Sequence, residues 1–189
     1  MRANASLSGT SPPTTCLLDK NIVRAVFEAR VRVQRRRIPL PHQAQAAIVY
    51  QALQQAGFTT YVTPETANSA QRRDPLIAAS LLMPLTTLMQ GHYLRRWARR
   101  LRDFGFSRED SVILAYGSFG MDSQRQTFGA EVIVSADQPL IRHFHEQHNS
   151  IAQRFQQMIC QLALPYCWAQ LPTLMSLDEM LTMLVQSKN

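Results

Sequence analysis

The sequence predicts an α/β fold of three layers, in which helices cover both faces of a central parallel sheet. Short apolar or β-branched segments, at residues 16–18, 58–63 and 129–135, have the length and composition of strands. Each is followed by a longer stretch in which apolar residues have helical spacing. Because a parallel connection needs a crossover element between its strands, this alternation favours a parallel sheet.

Helical segments are predicted between and after these strands. Apolar residues at 22–27 open the first, and a basic connector over 30–37 separates it from a helix over 42–56. Thr63 and Pro64 have the residue types of a helix cap and first turn. Residues 76–89 fit either a short helix that leads into a strand or two apolar pieces. The remaining helices are expected over residues 92–104, 107–119, 140–162 and 177–185.

The length and composition are those of one globular domain. The chain has 189 residues, of which 46% are apolar, a fraction too high for a disordered chain. Its first fifteen residues are rich in Ser, Thr and Pro and lack the apolar stretch of a secretory signal. We therefore expect residues 1–14 to be a flexible tail and residues 15–189 to form one domain with a C-terminal helical extension. No apolar run reaches the roughly 18–20 residues of a membrane span, so no membrane partner is expected.

The cysteines do not have the spacing of a disulfide framework or a zinc site. Their number is odd, and Cys16, Cys160 and Cys167 contain no Cys-x-x-Cys pair. Free thiols are typical of proteins in a reducing compartment, where structural disulfides are rare. A cytoplasmic location is therefore expected.

The charge is strongly basic in one part of the chain. The net charge is +7, and 18 of the 20 basic residues are arginines. Residues 1–104 contain 15 Lys and Arg against five Asp and Glu, whereas residues 105–189 contain five against eight. Arginine presents a planar, permanently charged fork that suits phosphate, so the basic part favours a nucleic-acid partner. Arginine also replaces lysine in GC-rich genomes without any role in binding, and both interpretations stay open.

Three aspartates are predicted at the same edge of the sheet. Asp19 ends the first strand, Asp137 follows the strand over 129–135, and Asp110 lies in the first turn of the helix that begins near Ser107. Ligands of open parallel sheets bind where the carboxyl ends of the strands meet the helix N-termini. Clustered carboxylates there favour a hard divalent cation, Mg²⁺ or Mn²⁺. Such an ion can activate a water for attack on a phosphodiester.

The same aspartates are also suitable as helix caps. Asp19 and Asp137 each precede a predicted helix, and Ser107 with Asp110 has the spacing of a capping box. A cap needs the carboxylate to accept a backbone N–H, whereas a metal ligand needs it to face other acids. From residue type and spacing alone, both interpretations remain open.

Three segments, in the same order along the chain, resemble the PIN-domain family. They are the strand that closes on Asp-x-Asn at residues 17–21, the Asp-containing apolar helix at 108–115, and the strand followed by Ser-x-Asp at 129–137. With their connections they cover about residues 15–145. The resemblance implies a Rossmann-like PIN fold in which Asp19, Asp110 and Asp137 coordinate Mg²⁺ or Mn²⁺ and catalyse the cleavage of RNA.

The resemblance also implies partners and products. PIN ribonucleases are often the toxins of toxin–antitoxin pairs, so it implies an antitoxin protein that covers the acidic edge, and a homodimer. Cleavage of single-stranded RNA by this family implies products with a 3′-hydroxyl and a 5′-phosphate. A small-molecule enzyme on a Rossmann-like fold is disfavoured because the chain has no cofactor-binding glycine motif.

One position departs from the PIN pattern. The family places a further acid, mostly Glu, on the helix after the second strand, where this chain has Asn68 or Ser69. Glu65, one turn earlier, is the candidate metal ligand there, although a first-turn acid also stabilises the helix dipole. The alternative function is therefore a PIN-fold protein with a degenerate metal site that binds RNA or a protein partner without cleavage.

The candidate RNA-binding surface is an amphipathic helix rich in arginine. Leu94, Trp97 and Leu101 mark its apolar face. The basic residues that lie away from the centre of that face are Arg95, Arg96, Arg99 and Arg102. They could follow a phosphate backbone and give salt-dependent binding, or form a solvated basic face. The arginine run over 35–37 is a second candidate of the same kind.

Overall fold

The computed structural model describes residues 14–122 and 128–186, so residues 1–13 of the predicted tail lie outside the described residues. Its strands are β1 (Thr15–Leu18), β2 (Thr59–Val62), β3 (Thr86–Thr87), β4 (Met89–Gln90), β5 (Gly120–Met121), β6 (Val132–Val134) and β7 (Thr173–Met175). Its helices are α1 (Lys20–Gln34), α2 (Pro41–Gln55), α3 (Pro64–Arg73), α4 (Pro75–Leu82), α5 (Leu94–Arg102), α6 (Arg108–Phe119), α7 (Gln138–Ile159) and α8 (Leu177–Gln186). Within these residues, no helix combines the length and the apolar character needed to cross a membrane.

Five strands form one parallel sheet in the order β3-β2-β1-β6-β7. The central strand is β1, in which Leu17 lies opposite Tyr61 of β2 and Ile133 of β6. Strands β2 and β3 lie successively on one side of β1, whereas β6 and β7, which come later in the sequence, lie on its other side. The strand order therefore reverses between β1 and β6. In open parallel sheets, the ligand cleft lies outside the carboxyl ends of the strands at such a switch point.

Alternate side chains of the central strand enter two separate hydrophobic cores. Leu17 packs on one face of the sheet, while Cys16 and Leu18 pack on the other, and all three are fully buried. Helices α5, α6 and α7 cover the first face, and α1 to α4 with α8 cover the second. Because both faces are covered, the three residues of β1 that are buried are all apolar. The α/β class and the three-layer arrangement predicted from the sequence are confirmed.

The start of β6 is fixed by close backbone packing against the end of α6. Gly129 N–H donates to the Gly120 oxygen at 2.6 Å, and Ala130 N–H donates to the Gly117 oxygen at 2.8 Å. Gly129 has a φ of +94°, and a Cβ added to it would lie 2.0 Å from the Gly117 oxygen. Only glycine combines this backbone conformation with so close an approach. The strand that follows leads directly to Asp137.

Three parts of the chain show how the observed elements compare with the prediction. Helix α1 continues to Gln34, through most of the predicted connector over 30–37. Arginine has a high helix propensity, and the first proline after the start of this helix is Pro39. The ambiguous stretch over 76–89 contains a short helix, α4, that leads into β3, so the first alternative is confirmed. Strand β7 escapes sequence prediction because three residues after Pro172 carry almost no periodic signal, and pairing with β6 sets its place.

Candidate functional site

The four acidic residues predicted as ligands line one cleft at the carboxyl edge of the sheet. Asp19 follows β1, Asp137 follows β6, Asp110 lies in the first turn of α6, and Glu65 lies in the first turn of α3. The cleft has a volume of about 610 Å³, within the roughly 300–1,000 Å³ of ligand pockets. It opens at the switch point between β1 and β6. The sheet topology therefore brings together acids that are far apart in the sequence.

Asp19 is the most buried of the four acids, with 6% of its surface exposed. It caps α1: its Oδ1 accepts the Lys20 amide at 2.6 Å, and its own amide donates to the Val134 oxygen at 3.0 Å. Its Oδ2 accepts the Ser135 hydroxyl at 2.7 Å and the side-chain amide of Asn21 at 3.4 Å. Burial raises the pKa of Asp19 above its ordinary value, although the hydrogen bonds from Ser135 and Lys20 oppose the rise.

Ser135 connects Asp19 to Asp137. Its fully buried hydroxyl donates to Asp19, and the same oxygen accepts the Asp137 amide at 3.1 Å. Asp137 caps α7, because its Oδ1 accepts the Leu140 amide at 3.0 Å. The negative charge of Asp137 also contributes to the raised pKa of Asp19. The capping role is thus confirmed for both aspartates, and their caps hold the two carboxylates in one cleft.

Asp110 and Glu65 line the cleft from two further helices. The Asp110 amide donates to the Ser107 hydroxyl at 3.1 Å, and the Thr66 amide donates to the Thr63 hydroxyl at 3.3 Å. These bonds are the N-caps of α6 and α3, which place each acid in a first turn beside the cleft. Among the described residues, neither the Asp110 nor the Glu65 carboxylate accepts a hydrogen bond. Their oxygens are therefore available to a ligand.

A lysine and a glutamate absent from the sequence predictions join two sides of the cleft. Nζ of Lys20, on α1, pairs with Oε2 of Glu109, on α6. The bond to Glu109 raises the pKa of Lys20, and the charges of Asp19 and Glu65 add to the rise. Because the side chains are 49% and 69% exposed, the pair adds little to stability, and its main effect is on the charge of the cleft. Lys20 follows Asp19 in the sequence, and Glu109 precedes Asp110. This adjacency to predicted ligands is the signal that could have identified both residues.

The cleft carries an excess of negative charge. Five carboxylates line it, against the cationic side chains of Lys20 and Arg108. An excess of this kind attracts cationic ligands. Within residues 14–122 and 128–186, however, no three Asp, Glu, His or Cys side chains come close enough to form a metal-binding group. In this arrangement, direct coordination of an ion would use at most two of the carboxylates.

The predicted RNA-binding arginines form two rows on α5. The outer row, spaced three and four residues apart and exposed, consists of Arg95, Arg99 and Arg102. Arg96 belongs to a second row with Arg100, and together with Arg154 of α7 these two line a separate groove. Of the described residues that line the acidic cleft, the single arginine is Arg108. Helix α5 therefore presents its basic residues away from the carboxylates.

Comparison with known proteins identifies no relative of the chain, so its function is inferred from the architecture and the acidic cleft. No protein-family model, no characterised protein and no solved structure matches the chain. The resemblance to PIN domains rests on the three ordered segments at 17–21, 108–115 and 129–137. Each of these segments contributes one aspartate to the cleft: Asp19, Asp110 and Asp137.

Proposed function

We propose that the chain is a divalent-metal-dependent endoribonuclease of the PIN type, which cleaves single-stranded RNA at the acidic cleft. The observation that carries this proposal is the convergence of Asp19, Asp110, Asp137 and Glu65, from four different elements, at the switch point of a parallel sheet. Helix capping alone does not require this convergence. Asp74, for example, caps α4 and lies outside the cleft.

The chemistry of these donors suits Mg²⁺ or Mn²⁺, which prefer carboxylate oxygens and water. Mg²⁺ commonly takes one or two protein carboxylates and keeps waters and substrate phosphates as its other ligands. Asp19 and Asp137 would supply that pair, since they share Ser135 and interact electrostatically. Asp110 and Glu65 would act through water. When bound, such an ion supplies activation of a water molecule and neutralises charge on the phosphate.

The chain's own residues would prepare the cleft for hydrolysis. The Ser135 hydroxyl and the Lys20 amide hold the Asp19 carboxylate in place and favour its ionised form. The Asp110 carboxylate, which no described residue engages, can accept a proton from an attacking water. Arg108, at the edge of the cleft, can hold a phosphate of the substrate with its guanidinium. Hydrolysis would leave a 3′-hydroxyl and a 5′-phosphate on the products.

The proposal extends to partners and location. The exposed arginines of α5, which include Arg95, Arg96, Arg99 and Arg102, would bind the phosphate backbone of RNA. A toxin of this type would act in the cytoplasm and would be held inactive by an antitoxin protein over the acidic cleft. Such an antitoxin would present cationic side chains, because the cleft is lined by five carboxylates. A homodimer belongs to the same proposal.

Cleavage of an end-labelled single-stranded RNA tests the nuclease proposal. We expect cleavage with Mn²⁺ or Mg²⁺, none with chelator, and a loss of at least about 100-fold in Asp19→Asn, as for removal of a key electrostatic group. Asp74→Asn is the matched control, because it makes the same exchange at a helix cap outside the cleft. Absence of cleavage of several RNAs by folded protein that binds them would overturn the proposal. Equal losses in both variants would assign the effect to capping.

A second candidate function is RNA binding without cleavage. It is favoured by one observation: no three metal-binding side chains of the described chain come together, and Lys20 already neutralises part of the cleft by pairing with Glu109. In this case RNA affinity would be unchanged by chelator and by Asp19→Asn. Measuring affinity and cleavage on the same RNA separates the two functions.

A further inference from the structure

A groove between α5 and α7 concentrates positive charge that the acidic cleft does not use. Arg96 and Arg100 of α5 line it together with Arg154 of α7, and Gln157 and Gln161 complete one wall. None of the described residues that line it is acidic. Arginine forks and glutamine amides donate hydrogen bonds, so the groove presents donors and positive charge together. That combination suits a phosphate group.

The three arginines have few partners within the protein. Nη1 of Arg100 lies 3.9 Å from Oδ2 of Asp103, at the limit of an ion pair between exposed side chains. Nη1 of Arg154 donates to Oε1 of Gln157 at a long 3.4 Å. Within the described part of the chain, Arg96 makes no hydrogen bond or ion pair. The guanidinium groups therefore remain available, and an anion between them would relieve their mutual repulsion.

A buried tryptophan lies beside the arginines of the groove. Trp97, one of the lining residues, is fully buried, and its Nε1 has no partner among the described residues. The side chain packs in the core against Phe155, with ring centroids 5.0 Å apart. Because Trp97 lies beside the groove arginines, its emission can report changes in their charge.

The size and position of the groove separate it from the acidic cleft. Its volume is about 210 Å³, below the roughly 300 Å³ at which small-molecule pockets begin, so it suits one phosphate group rather than a whole nucleotide. Asp137 caps the first turn of α7, and Arg154 lies near its other end. At about 1.5 Å per residue, the two positions are roughly 25 Å apart along the helix. A single RNA strand bound to both sites would therefore place different nucleotides in the cleft and in the groove.

We propose that Arg96, Arg100 and Arg154 form a binding site for a backbone phosphate of single-stranded RNA, outside the cleft. The site rests on the proposed RNA substrate but not on cleavage, so it should bind RNA in metal-free protein. A strand of RNA is favoured over a single free anion because the outer row of α5 places further exposed arginines beside the groove. Arg100 and Arg154, which sequence analysis did not assign, thus join Arg96 in binding.

Fluorescence anisotropy of a labelled 12-nucleotide RNA, with chelator present, tests the site in the full chain. The groove variant is Arg96→Gln with Arg100→Gln and Arg154→Gln. The matched control replaces three exposed arginines that line neither the groove nor the acidic cleft, with Arg24→Gln, Arg72→Gln and Arg142→Gln, and removes the same charge. We expect the groove variant to lose about tenfold or more in affinity and to lower the salt slope by about 0.7, the value for one phosphate contact on a single strand. The control should lose less than about threefold.

Tryptophan emission gives a local readout that does not depend on net charge. The chain has two tryptophans, so Trp168→Phe leaves Trp97 as the single emitter. RNA should change the Trp97 emission in this background, and the change should disappear when the groove arginines are also replaced. Unfolding midpoints in urea confirm that each variant folds.

Several outcomes would overturn the proposal. Equal losses in the two triple variants would mean that RNA affinity depends only on the net charge of the protein. A Trp97 response to inorganic phosphate without one to RNA would assign the groove to a free anion. Absence of metal-free RNA binding by wild-type protein would also reject the site. Loss of cleavage with groove binding intact would instead reject only the proposed nuclease.

Discussion

The Ser135 hydroxyl donates a 2.7 Å hydrogen bond to Oδ2 of Asp19, a residue 116 positions away in the chain. The same oxygen accepts the amide of Asp137 at 3.1 Å. One buried hydroxyl therefore holds two strand ends of the acidic cleft in register. Because its bond favours the ionised form of Asp19 while burial opposes it, Ser135 also influences the charge of the cleft.

Ser135→Ala should destabilise the protein and raise the pKa of Asp19 further. The substitution removes one hydrogen bond from a buried carboxylate and leaves the Asp137 amide without its acceptor, at a cost of about 1–3 kcal/mol in unfolding free energy. Urea denaturation measures the loss, and a carboxyl ¹³C titration reports Asp19. Ser118→Ala is the control, because Ser118 is equally buried but donates to the Leu114 oxygen. An unchanged Asp19 titration in Ser135→Ala would contradict the assignment.

Asp19→Asn should stabilise the protein at neutral pH. The pKa of Asp19 is raised on folding, so between its unfolded value, about 3.9, and its folded value the native state binds more protons. The unfolding free energy therefore falls as pH rises through that window, and the cost persists above it. Asparagine removes this cost, so Asp19→Asn should be more stable than wild type at pH 7, and the advantage should vanish below about pH 4.

Unfolding free energies of wild type and Asp19→Asn, measured in urea at several pH values, check this prediction. Asp74→Asn serves as the reference for an aspartate-to-asparagine exchange at a helix cap. A destabilised Asp19→Asn at pH 7 would show that the hydrogen bonds to the carboxylate outweigh its burial.

Lys20→Gln should strengthen binding of divalent cations to the cleft. The lysine ammonium pairs with Glu109 and interacts with Asp19 and Glu65, so its removal leaves the carboxylates less neutralised. We expect Mn²⁺ affinity to rise about three- to tenfold at low ionic strength, since 1.4 kcal/mol is a factor of ten. Calorimetry measures the affinity. Arg24→Gln, which removes an ion pair with Glu28 on the same helix, should leave it unchanged.

Gly129→Ala should be far more destabilising than Gly57→Ala. Both glycines have positive φ, at +94° and +77°, but a Cβ at Gly57 meets nothing within 4 Å, whereas one at Gly129 would lie 2.0 Å from the Gly117 oxygen. Gly57→Ala should cost about 1–2 kcal/mol, the left-handed penalty alone. Gly129→Ala should cost at least about 3 kcal/mol, because backbone must also move. Similar urea midpoints for the two variants would contradict the close packing at β6.

Cys16 should resist thiol reagents in the folded protein, whereas Cys160 should react. Cys16 is fully buried in β1, and burial raises the pKa of its thiol far above the ordinary value. Cys160 is exposed at the end of α7. Because the thiolate is the reactive form, a colorimetric disulfide reagent should modify Cys160 rapidly and Cys16 only after unfolding. Mass spectrometry of the labelled peptides identifies the sites.

Strands and the acids that follow them could be predicted because both depend on neighbours a few residues away. The apolar run before Asp19 and the β-branched run before Asp137 are local signals, and the rule for parallel sheets then places both acids at one edge. The caps at Thr63 and Ser107 are equally local. These short-range patterns therefore predict the fold class and the acidic residues that line the cleft.

Contacts between distant helices could not be predicted in the same way. Lys20 and Glu109 are 89 residues apart, and nothing in either local sequence specifies the partner. Arg154 lies on a polar helix whose period does not reveal that it approaches Arg96 and Arg100. The buried state of Ser135 likewise depends on β1 lying beside β6. These contacts depend on how distant elements pack together. Packing depends on the whole sequence and not on any short segment of it.

The order of strands in the sheet has a consequence for the growing chain on the ribosome. The first three strands of the main sheet can pair as they emerge, but β6, which belongs beside β1, is synthesised much later. Until then β1 has one open edge, and neither Ser135 nor Asp137 is present. A nascent chain would therefore hold only part of the acidic cleft. For a ribonuclease, this sequence of events would keep the unfinished polypeptide harmless to the ribosomal and messenger RNA beside it.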